Sequence, residues 1–273
     1  MQAKGGINIP AEGFLKGAVE HFKNLKGVTI CDESNTGLGR IGKESWGFKW
    51  QNHVPDIITI GASLGNGSAL SAVVTRKEIA SSVKHAWFNT FAAGHMQTKI
   101  GITVINTINQ EKLNENAEAC GSLILEGLRN IAKKSKFIGE VRGKGLLLGI
   151  DIIENGEPSK ERALELMELT RERQLLFGRG GPYGNVFLIR PPLCITKADV
   201  TYLLQALEDA LTKLKWFPKK QKSHKLKIIF VIWLLDRFCI AGELSQLRNI
   251  FLMVRSFWNF YDLLIHIFSI FVH

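Results

Sequence analysis

The sequence predicts an α/β fold class, in which a partial large domain with a mostly parallel sheet is followed by a smaller α+β domain. Up to about residue 100, short β-branched runs at residues 27–31 and 56–60 alternate with helical patterns, an order typical of βαβ units. After residue 100, two long amphipathic patterns precede strand patterns at residues 138–153 and 186–189. These observations predict a large domain at residues 1–105, a small domain at 106–216 and a tail at 217–273.

Helices are predicted where apolar residues recur at three- and four-residue steps. One such pattern begins at Phe14 and continues to Phe22, with its apolar residues roughly on one face. A second, at residues 115–134, has a stripe formed by Cys120, Leu123, Ile124, Leu128 and Ile131. The predicted helices span residues 12–24, 98–111, 115–134, 160–173 and 197–216.

The formal net charge of +10 over 273 residues suggests a polyanionic partner at first sight. The excess is uneven, because eight basic residues against three acidic ones place +5 of it after Trp216. We therefore expect no nucleic acid partner. The four cysteines are widely separated and the histidines share no ligand spacing, which predicts reduced, buried thiols and no metal site.

The tail combines a basic linker at residues 219–227 with apolar runs at 228–235 and 250–273. Neither run reaches the roughly 18 uncharged residues of a membrane-spanning helix. Three interpretations stay open: aberrant sequence outside the fold, a membrane-associating segment and a packed helical extension. The N-terminus shows no apolar or Arg-rich targeting pattern, so we expect no import signal in this chain.

Ligand-binding residues are predicted where the strand patterns end. Asp32 follows the first run and begins a glycine-spaced loop, the second run enters a glycine-rich turn, and Thr90 supplies a hydroxyl in a third loop. An acid at the carboxyl end of a strand faces the crevice where open α/β sheets bind ligands. From the residues alone, Asp32 could equally cap its own loop, and Thr90 could form a local turn.

These segments resemble the class III, pyridoxal-phosphate-dependent aminotransferases. The matching stretches are Cys31-Asp32-Glu33-Ser34-Asn35-Thr36-Gly37-Leu38-Gly39-Arg40, Trp46-Gly47-Phe48, Pro55-Asp56-Ile57 and Gly61-Ala62-Ser63-Leu64-Gly65-Asn66-Gly67. Further matches at residues 141–145 and 190–196 extend the resemblance over roughly residues 4 to 214. It implies the pyridoxal-phosphate-dependent transferase fold type I, and it makes the glycines around Lys144 a structural turn rather than a phosphate loop.

The resemblance also implies roles for individual residues. Asp32 would hold the proton on the pyridine nitrogen of pyridoxal 5'-phosphate, and Glu33 would brace the loop or a residue on the substrate side. Asn35 replaces a glutamine at the cofactor's edge and is one methylene shorter. Thr90 would reach the cofactor phosphate across the interface of a homodimer.

Ala62 is the main departure from the family, because it occupies the position of the lysine that forms the Schiff base. Transamination needs a positioned amine, and alanine has none. Leu188 occupies the position of the arginine that clamps the substrate carboxylate, a contact that an isobutyl group cannot make. Arg190 is a weak substitute, expected on the same strand face as Leu188.

The family also carries an N-terminal half with the loop that grips the cofactor phosphate. Without it we expect open sheet edges and weak or absent cofactor binding in this chain.

Two main functions are therefore expected for this chain. The first is amino-group transfer from an amino acid such as alanine to an oxo acid such as glyoxylate, as the resemblance implies. The second is a noncatalytic derivative that acts as an interaction module and dimerises with an intact relative. Ala62 and Leu188 favour the second, and a third function, at a membrane surface, depends only on the tail. The resemblance implies a mitochondrial location.

Overall fold

The computed structural model describes residues 1–85, 89, 90, 92 and 94–214. The predicted tail at residues 217–273 lies outside the described residues, so its three interpretations stay untested. No helix of the described part is both long and apolar enough to cross a membrane.

A three-stranded sheet in the order β1-β2-β3 organises the first part of the chain. Its strands are short because each run of β-branched residues is interrupted by glycine or a polar turn. In chain order, the elements are α1 (Phe14–Asn24), β1 (Ile30–Asp32), α2 (Gly47–Trp50), β2 (Ile57–Ile60), β3 (Ala72–Thr75) and α3 (Lys77–Ala80).

Strand direction in this sheet agrees only partly with the predicted mostly parallel arrangement. β1 and β2 are parallel, with Asp32 opposite Thr59. β3 is antiparallel to β2, with Ile60 opposite Ala72. The segment between β2 and β3 is too short for the helical crossover that a parallel return needs, so the chain turns back beside the strand that it has just left.

A five-stranded antiparallel sheet organises the second part, with β4-β5-β8-β7 as its main path and β6 paired to β5. The predicted long helices and the strand at residues 186–189 are confirmed, with ends shifted by up to three residues. In chain order, the elements are α4 (His95–Gln110), α5 (Leu113–Lys134), β4 (Ile138–Lys144), β5 (Leu147–Glu154), β6 (Glu157–Pro158), α6 (Lys160–Arg171), β7 (Gly178–Gly180), β8 (Val186–Ile189) and α7 (Lys197–Lys213).

The main hydrophobic core lies between this sheet and helices α5, α6 and α7. Four members of the predicted α5 stripe are buried in it: Cys120, Ile124, Leu128 and Ile131. Leu123 was predicted among them, but its side chain is 41% exposed. It precedes Ile124 by one residue, and a step of about 100° around the helix turns it away from the sheet.

The glycines around Lys144 form the predicted structural turn, between β4 and β5. Gly145 has a φ of +56°, and a Cβ there would lie 2.4 Å from the carbonyl carbon of Ile41. The Leu146 amide also donates to the Arg40 carbonyl at 3.0 Å. Glycine is therefore required where this hairpin meets the loop that follows β1.

The predicted domain boundary at residues 105 and 106 falls inside α4, and it stays a prediction. The prediction of buried thiols is correct for Cys120, whereas Cys31 is half-buried and Cys194 is exposed. Cys194 lies in the loop before α7, where no core layer covers it. Cys239 is outside the described residues.

Candidate functional site

Asp32 lies at the end of β1 and is exposed. Its Oδ1 accepts hydrogen bonds from the Ser34 amide at 3.0 Å, from the Thr59 hydroxyl at 3.2 Å and from the Ser34 hydroxyl. The Ser34 hydroxyl is the largest cause of a lowered Asp32 pKa, so the group is a carboxylate at neutral pH. The loop-capping role of Asp32 is thus present in the structure, and its role toward a cofactor stays a prediction.

Glu33 is fully buried beneath the same loop and confirms its predicted bracing role. Its carboxylate accepts from the Thr36 hydroxyl at 2.5 Å and from the amides of Gly47 and Phe48 at 2.9 and 2.8 Å. Burial, together with the Glu33 charge, raises the pKa of the Cys31 thiol to about 12. Glu33 therefore fixes the loop that connects β1 to α2, and Cys31 stays a protonated thiol.

The glycine-rich turn after β2 packs against the Asp32 loop. Residues Ala62–Gly65 form a single 3₁₀ turn, which ends at Asn66 in the left-handed region with a φ of 43°. A Cβ at Gly61 would lie 2.9 Å from the Ser34 hydroxyl oxygen, so the two segments touch there. Residue 62, which carries no nitrogen in its side chain, thus belongs to a turn adjoining the loop that holds Asp32.

Asn35 and Arg190 are brought together from positions 155 residues apart in sequence. The Arg190 guanidinium donates to the Asn35 side-chain oxygen at 3.1 Å. Arg40, in the same loop as Asn35, donates to the carbonyls of Leu146 and Pro191. Burial, and then the nearby Arg190 charge, lower the pKa of Arg40. Together with the hydrogen bond from the Leu146 amide to the Arg40 carbonyl, these contacts join the Asp32 loop to the hairpin turn and to the segment after β8.

The sequence predicts Leu188 and Arg190 on one strand face, and Arg190 lies just beyond the end of β8. A Cβ at Gly178 would lie 3.4 Å from the Leu188 Cβ and 3.7 Å from a guanidinium nitrogen of Arg190, so the two side chains are on the same side there. β8 ends at Ile189, before two prolines that lack the N–H needed to continue a ladder. Leu188 is buried in a cluster with Ile7 and Val186, whereas Arg190 is exposed. A side chain at position 188 thus points into the core that the N-terminal segment covers.

Thr90 is exposed in a loop whose neighbouring residues 86–88, 91 and 93 are not described. The Ala92 amide donates to the Asn89 carbonyl at 3.1 Å, which indicates a local turn. Among the described contacts, none joins Thr90 to Asp32. Its implied position across a dimer interface stays a prediction.

Sequence reasoning did not identify two residues that affect Asp32. Thr59 lies opposite Asp32 in the β1–β2 register, and strand pairing in sequence could have indicated it. Lys4 lowers the Asp32 pKa through its charge, although it lies 28 positions away in sequence. No local motif marks Lys4, because only the fold of the N-terminal segment brings it near β1.

The family model for aminotransferase class III matches residues 1–211. Alanine–glyoxylate aminotransferase 2 homolog 2, mitochondrial, from Arabidopsis thaliana is 40% identical over 218 residues, which cover 78% of this chain and 46% of that protein. Alanine–glyoxylate aminotransferase 2, mitochondrial, from Homo sapiens is 35% identical over 219 residues, 78% of this chain and 43% of that protein. The chain thus spans less than half the length of these relatives.

A solved structure gives the same result for the fold. A phospholyase from Arthrobacter, in complex with phosphoethanolamine, superposes with a TM-score of 0.75 at 35% identity, covering 79% of this chain and 52% of its own. The predicted fold class is therefore confirmed as the pyridoxal-phosphate-dependent transferase fold type I. With a family match over residues 1–211, this chain belongs to the class III aminotransferases.

Proposed function

We propose that this chain is a noncatalytic class III aminotransferase homologue, which keeps the acid of the cofactor site but lacks its amine. The carrying observation is the contact between two segments. One presents the ionised Asp32, and the other has alanine at position 62, next to Gly61. An electron-sink cofactor needs both groups at opposite ends of its ring.

The residues present fit pyridoxal 5'-phosphate at one end only. Asp32 is a carboxylate oriented through Oδ1 by Ser34 and Thr59, and it would hold a proton on the pyridine nitrogen. That protonated ring supplies the electron sink when the cofactor is bound. At the other end, the side chain at position 62 offers no nitrogen, so no transamination step follows from this chain's residues.

On the substrate side, we propose Arg190 as a residual contact for a carboxylate. Its guanidinium donates a hydrogen bond to the Asn35 side-chain oxygen at 3.1 Å, and its side chain is exposed rather than buried like Leu188. Amino acid and oxo acid substrates are proposed by analogy with the alanine–glyoxylate relatives. Because the Arthrobacter relative is a phospholyase and not an aminotransferase, similarity alone does not fix the substrate class, and the class is part of the proposal.

A second candidate is a partner role in which this chain dimerises with an intact relative. The exposed Thr90 favours it, because the resemblance places its hydroxyl at a ligand of another subunit. The mitochondrial names of two relatives support the same location for this chain. Activity of a co-purified pair that exceeds that of the intact relative alone would support this candidate.

The proposal is tested by mixing the full chain with pyridoxal 5'-phosphate and reducing with borohydride. We expect no site-specific lysyl adduct by peptide mass mapping and no transfer from alanine to glyoxylate. Turnover, or an adduct at a single lysine, would overturn the proposal. Lys4→Ala serves as the matched variant, because Lys4 is the lysine whose charge reaches Asp32.

Ala62→Lys supplies the missing amine and tests which loss matters. We expect this change alone to give no turnover, because Leu188 still fills the position of the carboxylate-binding arginine. Turnover in Ala62→Lys would show that position 62 is the single defect.

A further inference from the structure

Asparagine is followed by glycine at two places in the sequence, Asn66-Gly67 and Asn155-Gly156. Because glycine has no Cβ, its amide nitrogen can approach the carboxamide of the preceding asparagine with little steric hindrance. The amide can then attack that carboxamide and close a five-membered ring, which is the first step of deamidation. This step requires rotation of the backbone at the asparagine, so the fold decides how readily each pair reacts.

The two pairs have similar local backbone and exposure. Asn66 and Asn155 both lie in the left-handed region, with φ of 43° and 54°, and the glycines that follow them have φ of +100° and +84°. Both asparagines are exposed. A Cβ at either glycine would have no atom of the described residues within 4 Å. Local geometry therefore does not distinguish the two pairs.

Tertiary contacts hold the second pair in place. Asn155-Gly156 is the turn of the hairpin formed by β5 and β6. The Ser159 amide continues the strand pairing by donating to the Ile152 carbonyl at 3.0 Å. The Arg162 guanidinium donates to the Glu154 carboxylate at 2.9 and 2.6 Å, which ties the hairpin to α6. Rotation of the backbone within this turn would separate the two strands and break these contacts.

Asn66-Gly67 is held by fewer contacts. The pair follows the 3₁₀ turn after β2, and among the described residues one backbone hydrogen bond spans it, from the Ser68 amide to the Gly65 carbonyl at 2.9 Å. The Asn66 side chain and the Gly67 amide make no hydrogen bond to another residue of the described part. The nitrogen that must attack is therefore not engaged in the backbone network, and little resists the rotation.

We propose that Asn66 is a site of spontaneous deamidation in the folded chain, and that the fold protects Asn155. The Gly67 amide nitrogen loses its proton and bonds to the side-chain carbonyl carbon of Asn66. The bond from that carbon to the side-chain nitrogen breaks, and ammonia leaves with the proton. Water then opens the ring at one of its two carbonyls, which gives aspartate or isoaspartate. No electrons are gained or lost, and water is the co-reactant.

The modification would place a charge in a neutral stretch of the chain. Every residue between Asp56 and Arg76 is uncharged. This stretch includes Gly61, which touches the Ser34 side chain in the Asp32 loop. Deamidation would add one carboxylate there and so oppose the binding of an anion beside the turn. The inference does not depend on the proposed loss of activity, because the reaction uses residues of the turn and water.

The experiment incubates the full chain at neutral pH and follows both pairs in one sample by peptide mass mapping, with aspartate and isoaspartate peptides separated by chromatography. We expect Asn66 to react at least about tenfold faster than Asn155, which corresponds to about 1.4 kcal/mol of additional opening cost at the hairpin. In urea-unfolded chain, the two rates should agree within about threefold, because the tertiary contacts are lost.

Two variants test the cause of the difference. Glu154→Gln weakens the link between the hairpin and α6, so it should speed the reaction at Asn155 about twofold or more while leaving that at Asn66 unchanged. Gly67→Ala hinders the attacking nitrogen and should slow the reaction at Asn66 severalfold. The Asn155 rate in the same sample is the control for folding, because an unfolded variant would lose its protection there.

Three outcomes would overturn the inference. They are equal rates at the two pairs in the folded chain, a faster reaction at Asn155 than at Asn66, and a rate ratio that unfolding in urea leaves unchanged.

Discussion

The five-stranded and three-stranded sheets differ in how completely side chains cover their strands. All four residues of β8 are buried, and two of them, Phe187 and Ile189, lie in the core to which helices α5, α6 and α7 contribute. In the three-stranded sheet, Ile30 and Val73 are mostly exposed, and α1 buries none of its residues although Phe14 and Phe22 give it an apolar face. One region therefore has a well-covered core, whereas the other keeps apolar side chains exposed among the described residues.

The largest expected effect separates the two sheets directly. Ile150→Ala removes a fully buried side chain from the main core and should lower the free energy of unfolding by about 3 to 4 kcal/mol. Val73→Ala, at a side chain of β3 that is 68% exposed, should cost less than about 1 kcal/mol. Urea unfolding followed by circular dichroism measures both. Similar losses would mean that the Val73 side chain is covered in the folded chain.

Glu33→Gln tests whether the first region depends on polar contacts instead. The buried carboxylate accepts three short hydrogen bonds, and the amide can accept through only one oxygen. We expect a loss of about 2 to 3 kcal/mol in unfolding free energy. Glu157→Gln, at an exposed site in β6, is the control and should change little. The Cys31 thiol should also titrate at lower pH in Glu33→Gln, measured by alkylation rate.

The contacts of Asp56 predict that part of the stability of the same region is lost at acid pH. Its carboxylate accepts from the Thr29 amide at 2.9 Å and hydroxyl at 2.8 Å and pairs with Arg76 at 2.6 Å. These contacts, the Thr29 amide first, lower its pKa. Because the folded-state pKa is the lower one, this stability is fully present above pH about 4 and is lost as pH falls through the folded value.

Asp56→Asn should therefore lower the free energy of unfolding at pH 7 by about 1 to 2 kcal/mol. It should also flatten the decline of stability below pH about 4, measured by thermal melts across pH. An unchanged acid decline would assign the sensitivity to other carboxylates.

The smallest effect is expected where the two regions meet. Asn35→Ala and Arg190→Ala each remove the exposed 3.1 Å hydrogen bond between them. A double-mutant cycle should give a coupling of about 0.5 kcal/mol or less, since exposed polar contacts exchange with water. A coupling free energy above about 2 kcal/mol would show that this hydrogen bond contributes more than expected to holding the two regions together.

Periodicity predicted the helices well because their apolar stripes repeat over many residues. α5 was expected at residues 115–134 and spans Leu113–Lys134. The apolar face of α1 was equally visible in sequence, but the pattern could not say whether that face finds a partner. The sequence analysis did not predict β3, so it could not predict the antiparallel return from β2 either.

For the candidate site, the sequence supplied Asp32, Asn35 and position 62, because each lies in a local motif. The same reasoning could not show that Lys4 lies near Asp32 or that the Leu188 side chain points into the core. Both depend on the N-terminal segment packing against β8. It also did not show that β8 ends at Ile189, one residue before Arg190.

The amino-acid sequence by itself determined the family, the acid at the end of β1 and the lack of an amine at position 62, because these are matters of residue identity within short motifs. Only the tertiary structure decided which surfaces are covered. Burial depends on contacts between residues far apart in the chain, such as Arg190 with Asn35, and no local pattern encodes those distances. The exposure of Ile30 and Val73 is therefore a property of the fold, although both residues were visible in the sequence.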